Sequence, residues 1–149
     1  MAEPGGSDAE PDLYVVDASV WHRLPHQPTI RQALAARATA GSICLTPPVI
    51  LEIGFSAASP NDWERAMGQV AAFTELPFRP QTGPAAARLQ RLLWESGLVR
   101  AMGVFDTLTA AVALDHGATV LHYDRDFELL ASVCPEFRQE WIVPAGSVD

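Results

Sequence analysis

A chain of 149 residues, 48% of them hydrophobic, is long enough for one domain with a single well-formed core. Its net charge of −8 excludes a protein that coats nucleic acid non-specifically through a basic face. All ten basic residues are arginine, which excludes Schiff-base lysine chemistry and the phosphate-binding lysine of a P-loop.

Residues 1–12, MAEPGGSDAEPD, are acidic, contain Gly and Pro and lack an apolar core, so they predict a disordered leader rather than a secretory signal. Four acids belong to that stretch (Glu3, Asp8, Glu10, Asp12), which leaves about −4 on a single domain at 13–149. Residues 13–17 (LYVVD) predict a short strand, apolar on both faces as a central parallel strand is. Pro28 opens a helical stretch that Gly41 stops as a C′ glycine, and 42–45 form a second strand. Thr46 offers an N-cap to a helix beginning with Pro47 and Pro48 and running to about Ala58. Ser59 and Pro60 repeat that start signal for a helix whose apolar stripe is Trp63, Met67, Val70 and Phe73.

Residues 78–83 make a Pro-containing connection with room for a brief strand. A helix over 84–96, carrying Leu89, Leu92 and Leu93, ends at Gly97, and another over 104–116 ends at Gly117. A third clear strand covers 118–123, a short helix 127–133, and a final strand 139–143. Alternation of strands and helices predicts an α/β fold, an α/β/α sandwich around a mostly parallel sheet of four to five strands. No apolar run approaches the roughly 20 residues of a membrane helix. Cys44 and Cys134 belong to no paired motif; they read as small core residues of a protein in the reducing cytoplasm.

Four carboxylates stand out against apolar elements: Asp17 and Asp124 at strand ends, Glu52 within PPVILEIGF, and Asp106 in the first turn of VFDTLTAAVAL. Burying such groups is costly unless arginines or a cation compensate their charge. Ligands of open parallel sheets bind at the carboxyl ends of the strands, where these four residues can converge. If they converge, mutual repulsion raises at least one pKa until a cation arrives. An oxygen-only donor set favours Mg²⁺, or Mn²⁺, over zinc, and the chemistry that follows is phosphodiester hydrolysis. The alternative for each residue is structural: Asp106 as a helix cap, Asp17 and Asp124 as strand ends, Glu52 paired with an arginine.

In these segments the chain resembles the PIN-domain family and, more narrowly, the VapC toxins of bacterial toxin–antitoxin pairs. The resemblance rests on VVDASVW, TPPVILEIGF, GVFDTLTAAVAL and VLHYDRDFELLA, in that order over residues 13–143, with no substitution at the four acidic positions. It implies a divalent-metal-dependent endoribonuclease, commonly dimeric, acting on a structured RNA such as tRNA or rRNA and inhibited by a cognate antitoxin. Asp17, Glu52, Asp106 and Asp124 would hold Mg²⁺, with one carboxylate orienting the attacking water. Ser19 would steer Asp17 from behind. Asp126 would be a further ligand or, by preference, the N-cap of the helix beginning at Phe127. An RNA-processing PIN nuclease without a toxin role and an inactive PIN-like binding module are the alternatives.

Arg100 and Arg125 flank the third and fourth motifs and are candidates for RNA phosphates. Pro25 separates His22 from His26, which argues against a metal pair. His122 reads as a packed or exposed histidine. Trp21 is core or part of a partner groove, while Trp63 and Trp94 are expected to pack.

Overall fold

Neighbouring strand residues point to opposite faces, yet Val15 and Val16 are both almost fully buried, so the sheet is covered on each side. The computed structural model describes residues 9–149. Its elements are β1 (Asp12–Val16), α1 (Ala18–Trp21), α2 (Pro28–Ala40), β2 (Gly41–Leu45), α3 (Pro47–Phe55) and α4 (Pro60–Val70). They continue as β3 (Thr74–Glu75), α5 (Thr82–Glu95), α6 (Val104–Asp115), β4 (Thr119–His122), α7 (Arg125–Val133) and β5 (Arg138–Trp141). The first eight residues of the expected leader lie outside the described residues. Asp12, its last residue, pairs with Gly41 in the sheet.

The sheet has the order β3-β2-β1-β4-β5, and every pair in it is parallel. The chain moves outward from β1 through β2 to β3, then returns to the other side of β1 for β4. That reversal puts a crevice between the carboxyl ends of β1 and β4. One face buries Val15, Cys44 and Val120 with α5, α6 and α7, through Leu89, Leu93, Ala110 and Phe127. The other buries Tyr14, Val16, Leu45 and Leu121 with α1 to α4, through Val20, Ile30, Val49 and Ile53. A fully buried side chain such as Phe127 contributes about 1.5–3 kcal/mol of transfer free energy. The α/β/α sandwich expected from sequence is therefore present. No helix of the described residues is long and apolar enough to cross a membrane.

Three local expectations differ from the structure. Gly41 is extended (φ −166°) and opens β2 rather than ending α2 in a left-handed turn. Its lack of a side chain is needed for another reason: a Cβ there would stand 2.2 Å from the Asp12 carbonyl oxygen. The brief strand expected within 78–83 lies earlier, at Thr74–Glu75, because Pro77 and Pro80 cannot donate to a ladder. The final strand is Arg138–Trp141, and Ile142 still donates to the His122 carbonyl at 2.9 Å. Gly97 (φ 77°) and Gly117 (φ 67°) do take the left-handed helix-ending conformation.

Candidate metal centre

The crevice fills with acid because each neighbouring element delivers one carboxylate to it. Asp17 is the first residue after β1; its carboxylate accepts the Ser19 amide at 3.0 Å and caps α1. Thr46, at the end of β2, caps α3 with its hydroxyl, and one turn later α3 presents Glu52. Thr46 Oγ1 also lies 3.1 Å from Thr109 Oγ1 in the fully buried seam between α3 and α6, tying the helix of Glu52 to that of Asp106. Asp106 sits in the first turn of α6, where the helix dipole favours a negative charge. Asp124 follows β4 and caps α7, accepting the Asp126 amide at 3.0 Å.

Two groups result. Asp17, Glu52 and Asp106 bring one oxygen each to within 4.8 Å of one another, and Asp106, Asp124 and Asp126 do the same. Asp106 is common to both, so all five acids form one continuous cluster. The preferred role of Asp126 as a helix cap is corrected: Asp124 is the cap. The strand ends at His122, the helix starts at Arg125, and the capping position therefore falls two residues earlier than sequence suggested. Ser19 contacts Asp17. Its amide donates to Asp17 in the hydrogen bond above and its side chain also favours the Asp17 carboxylate, while its Oγ accepts the Tyr123 amide at 2.9 Å and fastens the end of β4.

Among the described residues no arginine pairs with any of these five carboxylates, which removes the arginine alternative for Glu52. Asp17 Oδ1 and Glu52 Oε2 are buried without a hydrogen-bond partner. An uncompensated buried carboxylate oxygen costs several kcal/mol in principle, a strain that a cation or a proton would relieve. Protons leave their mark on the acidities. Burial pushes the Asp17 carboxyl up, against the lowering contacts from Ser19. Burial, then Asp17, raises Glu52, and burial, then Asp124, raises Asp126. Asp106, half-buried and facing the other four acids, is pushed up to about 7 by desolvation and then by their charges. An oxygen-only set with two unpaired buried oxygens fits a hard divalent cation.

A family model described as the PIN domain matches residues 14–133. The chain belongs to the PIN domain family. Among relatives of this PIN domain, Ribonuclease VapC51 of Mycobacterium tuberculosis is 39% identical over 136 residues, 91% of this chain and 97% of the relative. Ribonuclease VapC18 of the same organism is 32% identical, covering 91% and 99%. Solved structures share the fold at low identity. VapBC2 from Rickettsia felis, bound to a DNA fragment from its promoter, gives a TM-score of 0.72 at 16% identity, covering 87% of this chain and 98% of that one. DNA-bound VapBC from Salmonella typhimurium gives 0.70 at 18% identity, covering 89% and 99%.

Other candidates in this PIN domain lie around the cluster. Arg125 is the first residue of α7, directly after Asp124, and Arg100 lies in the loop before α6 with φ 59°. Both are exposed, and neither forms an ion pair among the described residues. His22 Nε2 meets Ser56 Oγ at 3.3 Å, and His26 is exposed; neither joins the acids. Trp21 packs edge-on to Phe73, with centroids 5.5 Å apart. Trp63 and Trp94 pack only in part, being 46% and 53% exposed. Trp63 lies against Gly54 of α3 and lines an apolar cleft with Leu51, Phe55 and Phe105, whose neighbours Glu52 and Asp106 belong to the acidic cluster. His122 is fully buried, and sequence reasoning missed its link to the site: Asp124 donates its amide to the ring at 3.1 Å.

Proposed function

We propose that this PIN domain is a divalent-metal-dependent endoribonuclease, the toxin of a VapBC-type toxin–antitoxin pair. The observation that carries it is the convergence of five carboxylates, without an arginine, around two buried oxygens that lack partners. Kinship with proteins named ribonuclease over nine-tenths of the chain supports the substrate class.

Asp17, Glu52, Asp106 and Asp124 would hold the cation, with Asp126 as a further ligand; Mg²⁺ is the expected ion and Mn²⁺ its substitute. When bound, the cation stabilises charge developing on the phosphate and eases ionisation of the attacking water. The protein's own residues do the rest. Asp17, the deepest of the five, holds rather than reacts, because burial leaves it no access to RNA. One of the half-buried carboxylates accepts a hydrogen bond from the attacking water and orients it. Arg100 and Arg125 offset the repulsion between an acidic protein and a polyanion by meeting RNA phosphates. The partners are a structured RNA of the tRNA or rRNA kind, a cognate antitoxin, and a second copy of the chain in a homodimer; the compartment is the cytoplasm. Asp17, Glu52, Asp106 and Asp124 are thus assigned as the catalytic set, with Ser19 fastening β4 behind them.

The test is cleavage of total cellular RNA by purified protein, with Mg²⁺ or with chelator. Cleavage should require the ion and fall in Asp17→Asn by more than roughly a hundredfold, the upper end for groups that merely support metal ligands. Equal cleavage in chelator, or an active Asp17→Asn, refutes the assignment.

A further inference from the structure

We infer that His122 is a positioning residue of the metal centre, its ring fixed in one tautomer by Gln139 so that Nδ1 can hold the Asp124 backbone. The inference rests on the proposed cation site and adds to it a residue outside the acidic set.

Asp124 must leave the end of β4, cap α7 and still face Asp106, so its backbone position decides whether the second half of the cluster forms. Three consecutive links fix that turn. Tyr123 donates its amide to Ser19 Oγ at 2.9 Å, Asp124 donates its amide to His122 Nδ1 at 3.1 Å, and Asp126 donates its amide to Asp124 Oδ1 at 3.0 Å. A backbone amide can only donate, so Nδ1 must be the bare nitrogen and the ring proton must sit on Nε2. Nε2 in turn lies 2.5 Å from Gln139 Oε1, an acceptor suited to that proton. Gln139 reaches it from β5, two places before Trp141, the residue in register with His122.

Packing holds the ring in plane. Its centroid lies 5.2 Å from that of Phe127 and 5.0 Å from that of Trp141, and the residue has no exposed surface. Both nitrogens are engaged, so the ring is unavailable as a ligand. Its action on the site runs through Asp124. A hydrophobic residue of similar size would leave the Asp124 amide without an acceptor and free the turn to swing.

Two variants place different atoms at the Nδ1 position: His122→Asn offers an amide oxygen, and His122→Leu offers a methyl group of similar reach. Mn²⁺ binding is measured by calorimetry without RNA, folding by melts in chelator, and kcat and KM separately on an RNA substrate. His122→Leu should fold, bind Mn²⁺ roughly 10–100-fold more weakly and lose kcat with little change in KM. His122→Asn should recover most of both. A folded His122→Leu with wild-type Mn²⁺ affinity overturns the inference, as does an asparagine variant no better than leucine. Should both variants fail to fold, Gln139→Leu decides. It frees the tautomer while leaving the ring, so a several-fold loss of Mn²⁺ affinity supports the inference and wild-type affinity overturns it. Failure of the wild-type protein to bind Mn²⁺ refutes the cation site itself and this inference with it. Wild-type binding alongside unaffected variants refutes only the role of His122.

Discussion

Helix α6 carries an aspartate at each end, and the two are treated in opposite ways. Asp115, in the last turn, stands where the helix dipole disfavours a negative charge. It is compensated by Arg79 at 3.4 Å and by a hydrogen bond from Gln81 Nε2 at 2.8 Å. Asp106, in the first turn, has the favourable dipole but is surrounded by four other acids and meets no arginine. A carboxylate serving the fold has partners, whereas the one proposed to serve a cation pairs with no arginine among the described residues. The contrast separates structural from functional acid more sharply than burial does, since neither residue is fully buried.

Breaking the functional end gives the largest effect. Asp106→Asn removes a member of both carboxylate groups, so RNA cleavage and Mn²⁺ binding should fall by more than roughly a hundredfold. The same change relieves repulsion, so the melting temperature in chelator should rise or hold; a marked fall would show that Asp106 stabilises the fold. Next in size is a pH effect. The folded pKa of Asp106, about 7, stands above its ordinary 3.8, so the metal-free fold binds that proton more tightly than the unfolded chain. The stability it confers is complete below the ordinary value and is lost as pH rises through about 7. Asp17 and Glu52 shift in the same direction. Urea midpoints in chelator should therefore fall between about pH 5 and about pH 7.5, and saturating Mn²⁺ should flatten or reverse that slope. Smallest is the structural end. Arg79→Leu strands Asp115 and should cost about 1 kcal/mol by denaturant unfolding, a modest figure because the arginine is partly exposed. Cleavage per folded molecule should not change, and a large loss of activity would erase the distinction between the two ends.

Much of the site could be read from sequence because its signals are local. Asp17 and Asp124 terminate hydrophobic runs, Asp106 opens a helix, and Glu52 interrupts an apolar one; each oddity is visible within a few neighbours. The layer order was legible for the same reason, as strand and helix periodicities alternate cleanly. What escaped depends on contacts distant in the chain or on a shift of one or two residues. Asp126 reads as a cap in sequence because the apolar run continues to Tyr123, one residue past the end of β4, and the helix starts two residues before Phe127. Gly41 was assigned to a helix end because its true neighbour, the Asp12 carbonyl, belongs to another strand. His122 looked inert because Gln139, which sets its tautomer, lies 17 positions away on β5. Trp63 sits on the apolar stripe of α4 and packs only in part, against Gly54 of α3, with the rest of its ring open to the cleft.

An all-parallel sheet has a consequence for the timing of synthesis. No hairpin brings the acids together early; Asp17 leaves the ribosome long before Asp126, and β4 is needed to join them. At about 5–20 residues per second that interval is roughly 5–20 s. Under the proposed function, a chain still being translated cannot attack its own message until α7 has emerged, and an aborted one never acquires the ability.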